Sequence, residues 1–340
     1  AGSAVAADPL GRGTWVVDGE QDKVWLVPPR GAPKAHAVGR WPEQLVVSSQ
    51  GTVFVTCREE GRLDVLDGES TFHVPLPGEP RGLALDEPKR RLWVGLVTAR
   101  ELVGVDSESL EIVDRRPLDG APRALAVNAQ GLAVLLERGG ALVLFDRDPK
   151  AGMSWSVKLP SFDRHRPWHG YAITEAGSDF AVVHSLVDTG LSRPATSGRY
   201  GGGASVPVLV AVSMVHEGRA NLVTFSSTMD WHAGRTVPGV ADVTGVAWRE
   251  GVLAISSRGT GTLLAALASP RGRSFVLAST LRAGAGLAGV TFDGAGDLVA
   301  VAAFDRKVVR ARFRTALNEL PSSALGASRL SPRLQLGRAL

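Results

Sequence analysis

Short apolar runs closed by a polar residue recur along the chain at a regular spacing. The first is Val5-Ala6-Ala7-Asp8, and Trp15-Val16-Val17 follows seven residues after Asp8. Leu83-Ala84-Leu85-Asp86 and Trp93-Val94-Gly95 repeat that arrangement, and further copies begin at Leu45, Leu125, Tyr171, Val246 and Val290. The closing polar residues stand at 8, 48, 86, 128, 174, 249 and 293, at intervals of 40, 38, 42, 46, 75 and 44. A repeat of about 40 residues is the length of a four-stranded propeller blade. Within one copy the apolar first strand meets the turn Asp86-Glu87-Pro88-Lys89-Arg90, then a second strand Leu92–Leu96, a third Leu102–Val105 and a fourth near Glu111–Arg116. Val, Leu and Ala fill the first two strands, as expected where both faces of a sheet are covered. Such a sheet cannot cover itself and must stack radially on its neighbours. The pattern predicts an all-β fold: a seven-bladed β-propeller of four-stranded antiparallel blades over residues 1–320. Residues 321–340 are then a tail that either supplies the ring's final strand or runs across the surface as a linker.

The 75-residue interval is too long for one blade. It does not hold an eighth, because the stretch from Leu186 to Pro207 has neither an apolar first strand nor a turn after it. It reads as a long loop inserted in blade five, between the second strand and a third at Val208–Val215. Loops of this length without secondary structure are uncommon and tend to be functional or disordered.

Hydrophobic residues at 44% and charged residues at 21% are those of an ordinary globular protein, which excludes a disordered chain. Polar or turn residues break every apolar run well short of the roughly 18 needed for a membrane-spanning helix. The net charge of +4 resides in the end of the chain: residues 305–340 sum to +6 and the rest to −2. The body is therefore not built for nucleic acid, and the basic end reads as solvated surface. The single cysteine, Cys57, allows no internal disulfide. It closes the second strand of blade two beside Arg58 and reads as packing. Ala1-Gly2-Ser3-Ala4 shows neither a basic nor an apolar leader region.

Pro80-Arg81-Gly82-Leu83-Ala84-Leu85-Asp86 and Pro122-Arg123-Ala124-Leu125-Ala126-Val127-Asn128 resemble the YVTN-type propeller repeats of bacterial surface and periplasmic proteins. Third strands closing on Asp, at Leu66-Asp67 and Phe145-Asp146, add to the likeness. His184-Ser185-Leu186-Val187-Asp188-Thr189-Gly190 with Tyr200-Gly201-Gly202-Gly203 resembles the long-loop blade of proteins in which such a propeller precedes a dihaem cytochrome c peroxidase or MauG-like domain. Leu334-Gln335-Leu336-Gly337-Arg338-Ala339-Leu340 is similar to the opening of that haem domain. The resemblance implies a periplasmic or extracellular module with a haem-containing domain or protein as partner. No Cys-x-x-Cys-His occurs, so no covalent cofactor is expected on this chain.

Loops between blades and loops between second and third strands share one propeller face. That places Arg164, His165, Trp168 and His169, ahead of blade five, on the face where His184 and Tyr200 open the long loop. His165, His169 and His184 are candidate ligands for a bound metal ion. A polar cluster anchoring the loop and a patch contacting another domain are the competing readings. Trp15, Trp25, Trp93 and Trp248 fall on strands and read as blade packing. Gly201-Gly202-Gly203 lacks the Lys-Ser/Thr of a phosphate loop, and no Gly-x-Ser-x-Gly elbow occurs. Function thus divides between a non-catalytic module presenting a loop-rich face and a propeller hydrolase or lactonase with an axial metal.

Overall fold

The computed structural model describes residues 1–146, 154–162, 165–188, 208–224, 240, 242–268, 275–328 and 330. Among them run 28 strands and one short 3-10 turn, Glu87–Lys89. The strands form seven four-stranded sheets, each made of consecutive strands paired antiparallel. The chain is a seven-bladed propeller, and the first strands fall where the repeat put them.

The second strands explain why the blades need each other. Thr14–Asp18, Val53–Cys57, Gly131–Leu136 and Leu298–Ala302 are buried at every position. Each of these strands is therefore covered on both faces. The outermost strands alternate or face water instead, as at Ser70–Pro75 and Ile112–Pro117. Apolar side chains accordingly gather in seven layers, each shared by two adjacent blades. Phe54, Leu63 and Leu76 of blade two meet Leu83, Leu92 and Val103 of blade three in one of them. Trp15 and Trp93 lie in such layers, as expected of packing residues.

Ring closure uses no shared strand. Blade one is Val5–Ala7, Thr14–Asp18, Lys23–Val27 and Lys34–Ala37; blade seven is Leu287–Phe292, Leu298–Ala302, Lys307–Phe313 and Leu317–Ala324. Their layer joins Val5, Val16 and Val27 to Val299, Val301, Val308 and Leu325. At its edge the Arg306 guanidinium forms two hydrogen bonds of 2.8 Å to Asp18 and another of 2.9 Å to the Leu325 carbonyl. Gln21 adds a 2.6 Å bond to the Ala327 carbonyl. The final strand runs past residue 320 because Lys307 at the far end of its neighbour pairs with Ala324.

Blade five differs from the sequence expectation in two ways. Its first strand, His165–Ala176, takes in the stretch read as a loop: His165, Arg166 and Pro167 pair with Asp188, Val187 and Leu186. Polar and proline residues obscured this extension, which makes the hairpin longer than that of any other blade. Its second and third strands, Asp179–Asp188 and Val208–His216, are separated by residues 189–207, where the insertion was expected; these lie outside the described residues. The interval also contains a second long connection, after the fourth strand Arg219–Thr224 and before Val243.

The closure predicts an expected outcome. Arg306→Leu strands Asp18 in a site where its side chain is 2% exposed. Loss of one partner of a buried pair costs about 3 kcal/mol or more. Urea denaturation is expected to show that loss, with Arg306→Lys intermediate because an ammonium lacks the two-pronged geometry.

Candidate functional site

In blades two to seven the first strand slips against the second at a bulge. The register steps from Pro42 to Gln44, from Pro122 to Ala124 and from Val243 to Gly245. Blade three steps at Arg81-Gly82, opposite Gly95, and blades five and seven at Tyr171 and Gly289. A bulge leaves one residue out of the ladder and re-aims it. Here the re-aimed residues are Glu43, Arg81, Arg123, Tyr171, Thr244 and Gly289, and all six line a cavity of about 410 Å³ at the mouth of the central channel.

Crowding at the axis explains the bulges. Added to Gly245, a Cβ would lie 2.6 Å from the Gly289 Cα, and on Gly170 it would lie 2.5 Å from the Leu136 carbonyl oxygen. The strand openings are then locked to the neighbouring turns. Arg58, Val97 and Arg258 donate backbone N–H groups to the carbonyls of Trp41, Glu79 and Asp242, which sit at φ of 55°, 60° and 51°. Because this left-handed residue recurs from blade to blade, it belongs to the repeat and not to one site.

Three guanidinium groups surround Glu43. Arg81 Nε donates to Oε1 at 2.5 Å, whereas Arg58 and Arg123 approach only to 3.8 and 3.9 Å. Arg123 Nε also donates to the Tyr171 carbonyl at 3.4 Å. Arg58 stands 3.5 Å from Glu79, and Arg81 stands 3.7 Å from Glu137. Burial pushes the Tyr171 phenol above its ordinary range. Trp41 and Phe304, 51% and 40% exposed, stand in the cavity wall. Gly2 and Ser3 lie across the channel, Ser3 bridging to Leu45, and line both this cavity and a second one of about 280 Å³.

Of the residues expected to form the site, His165, Trp168, His169 and His184 lie on the paired first and second strands of blade five. Arg164 and Tyr200 lie outside the described residues. Trp168 is 46% exposed, its carbonyl accepts the Gly140 N–H, and its ring meets that of His169 edge-on at 6.2 Å. The backbone N–H of His169 donates to Ser185 Oγ at 2.9 Å. His184 is wholly buried, with Nε2 2.9 Å from Ser213 Oγ and Nδ1 3.4 Å from the Ser185 carbonyl. His165 pairs with Asp188 and His184 with Gly170, so the two lie on the order of 15 Å apart along the hairpin at 3.3 Å per residue. The pairing does not gather the three imidazoles at one point. Among the described residues no group of three or more His, Cys, Asp or Glu is placed to hold a metal ion. Cys57 is buried, and burial with the nearby Asp64 pushes its thiol upward, so Arg58 does not activate it.

Reading from the sequence missed the bulge ring. The signal was present in Pro42-Glu43, Pro80-Arg81 and Pro122-Arg123, proline followed by a charge at the same phase of three successive copies.

No family model matches the chain, and neither does any curated protein sequence. Solved structures do. Hydrazine synthase of Kuenenia stuttgartiensis is similar over 92% of this chain and 95% of its own, with a TM-score of 0.74 and 15% identity. A catalytically inactive virginiamycin B lyase of Staphylococcus aureus with quinupristin covers 88% and 91%, with a TM-score of 0.63 and 11% identity. A chain of the mitotic checkpoint complex covers 84% and 78%, with a TM-score of 0.58 and 16% identity. Proteins this different in name share the fold alone. No helix among the described residues is long and apolar enough to cross a membrane.

His184 generates a pH prediction. Burial lowers its pKa to about 4, while the unfolded chain takes up the proton near 6.5. The folded state thus binds fewer protons between those values, so stability is complete above about pH 7 and falls as pH drops from 6.5 to 4. The slope is at most about 1.4 kcal/mol per pH unit. Urea unfolding at pH 7 and pH 4.5 is expected to show this slope, and His184→Gln to flatten it.

Proposed function

We propose that the chain is a non-catalytic propeller module that presents the mouth face of its ring to a partner domain or ligand. The observation that carries this reading is the ring of bulges, which turns one residue into the channel from each of six blades, five of them with a side chain. A hydrolase or lactonase with an axial metal draws carboxylates or imidazoles from several blades. Of the six turned-in residues only Glu43 bears such a group, and Arg81 holds it. Glu, Arg, Arg, Tyr, Thr and Gly make a recognition surface rather than a ligand set.

The mouth face is also where the long connections of blade five depart, after Asp188 and after Thr224. The YVTN-type resemblance and the likeness to propellers ahead of dihaem peroxidase domains give the partner its class: a haem-containing domain, in the periplasm or outside the cell. The test mixes the purified chain with a dihaem cytochrome c peroxidase-type domain and follows the mixture by size-exclusion chromatography. A complex that dissociates at least tenfold more readily with Trp41→Asp is expected, since Trp41 is exposed on the mouth rim. No complex, or one indifferent to that substitution, overturns the haem-domain docking. Turnover of lactones with added Ca²⁺ or Zn²⁺ overturns the non-catalytic reading.

A further inference from the structure

The mouth cavity has a hydrogen-bonding arrangement that its own side chains leave incomplete. Its wall contains Arg58, Arg81, Arg123, Arg258 and Arg306 with Asp18, Glu20 and Glu43. Arg306 and Asp18 satisfy each other in the closure. Four guanidinium groups then face two carboxylates. Glu79, Glu137 and Asp242 stand beside Arg58, Arg81 and Arg258, but at 3.5, 3.7 and 3.8 Å these contacts fall short of good hydrogen bonds.

Glu43 is the internal counter-ion, and it is overcommitted. A carboxylate accepts one two-pronged guanidinium well, and Arg81 holds Oε1. Glu43 Oε2 is buried without a hydrogen bond, although Arg58 and Arg123 stand close by. The Arg58 guanidinium makes no hydrogen bond among the described residues, and the Arg123 guanidinium makes only the 3.4 Å bond to the Tyr171 carbonyl. Both present unused N–H donors at a cavity wall, in the geometry that recognises a second carboxylate.

The remaining wall is aromatic. Trp41 and Phe304 are both large, exposed and part of the same cavity. A volume of about 410 Å³ is that of a small-molecule site, and such sites combine apolar walls with a few convergent polar groups.

The geometry points to a binding site for a small aromatic carboxylate, its acid group held by Arg58 and Arg123 and its ring against Trp41 and Phe304. This inference deepens the binding reading and rests on it in using the same face. Titration calorimetry of the whole chain uses 3-phenylpropionate, its neutral amide, acetate and inorganic phosphate as probes. One saturable site for 3-phenylpropionate is expected, with the amide at least tenfold weaker. Arg58→Gln and Arg123→Gln are each expected to weaken the acid at least tenfold, while Arg314→Gln, exposed on the opposite face, leaves it unchanged. Trp41→Ala, at an exposed position, keeps the test open should an arginine variant fail to fold: it is expected to weaken 3-phenylpropionate and leave acetate unaffected. Equal binding of acid and amide, insensitivity to Arg58→Gln and Arg123→Gln, or the absence of a saturable site overturns the inference. Phosphate or acetate binding as tightly as 3-phenylpropionate overturns the aromatic assignment. A chain that binds none of the probes yet docks the haem domain loses this pocket and keeps the docking face.

Discussion

Each sheet of this protein has two apolar faces and no means of covering either, so everything depends on every blade having a neighbour on both sides. Six of the seven interlayer contacts join blades adjacent in sequence; the seventh joins blade seven to blade one. In that seventh layer the buried apolar residues are six valines and one leucine, with Trp25 and Ala288 packed against them, and a buried ion pair fixes its edge. The pair adds orientation more than energy, because desolvating two charges offsets most of their attraction. What Arg306 supplies is geometry: it ties Asp18, at the end of a blade-one strand, to the backbone that follows the last strand of blade seven.

The same crowding that makes the layers tight produces the site. Inner strands of seven blades converge on one axis, and the ladder relieves the congestion by expelling a residue from most of them. Expelled residues line the channel, and though Tyr171 still packs on a layer and Gly289 has no room for a side chain, the others are held less by packing than the strand residues beside them. The mouth is therefore a by-product of closure that can take on chemistry. Its guanidinium groups keep N–H donors that no hydrogen bond among the described residues uses.

Strand positions and blade number were legible because a strand buried on both faces must be apolar along its whole length, and Leu83-Ala84-Leu85 or Val290-Thr291-Phe292 declare themselves once the period is known. The extended hairpin at His165–Pro167 was not legible, since its pairing partners Leu186–Asp188 lie across a turn and its own residues lack the apolar run of the repeat. The site was harder still. Histidine attracts attention as a ligand, yet His184 is a core residue satisfied by Ser213. The bulge residues escape notice because a one-residue slip in register has no signature in hydropathy; only the proline-charge pairs at 42–43, 80–81 and 122–123 mark three of them.

A ring closed without a shared strand assembles in order of synthesis. Every sheet is complete as soon as its own four strands have emerged, and each new blade finds the previous one waiting. The exception is the face of blade one that carries Val5, Val16 and Val27. That face, with Asp18 at its edge, stays uncovered until Arg306 has been translated, 288 residues later. Until then the nascent chain displays a carboxylate that has its blade-one hydrogen bonds but no cation, beside an apolar strip, the kind of surface on which chaperones act and wrong partners aggregate. A last blade arriving late has only one correct surface left to find, and the two hydrogen bonds to Asp18 distinguish it from the equally apolar flanks of the other six.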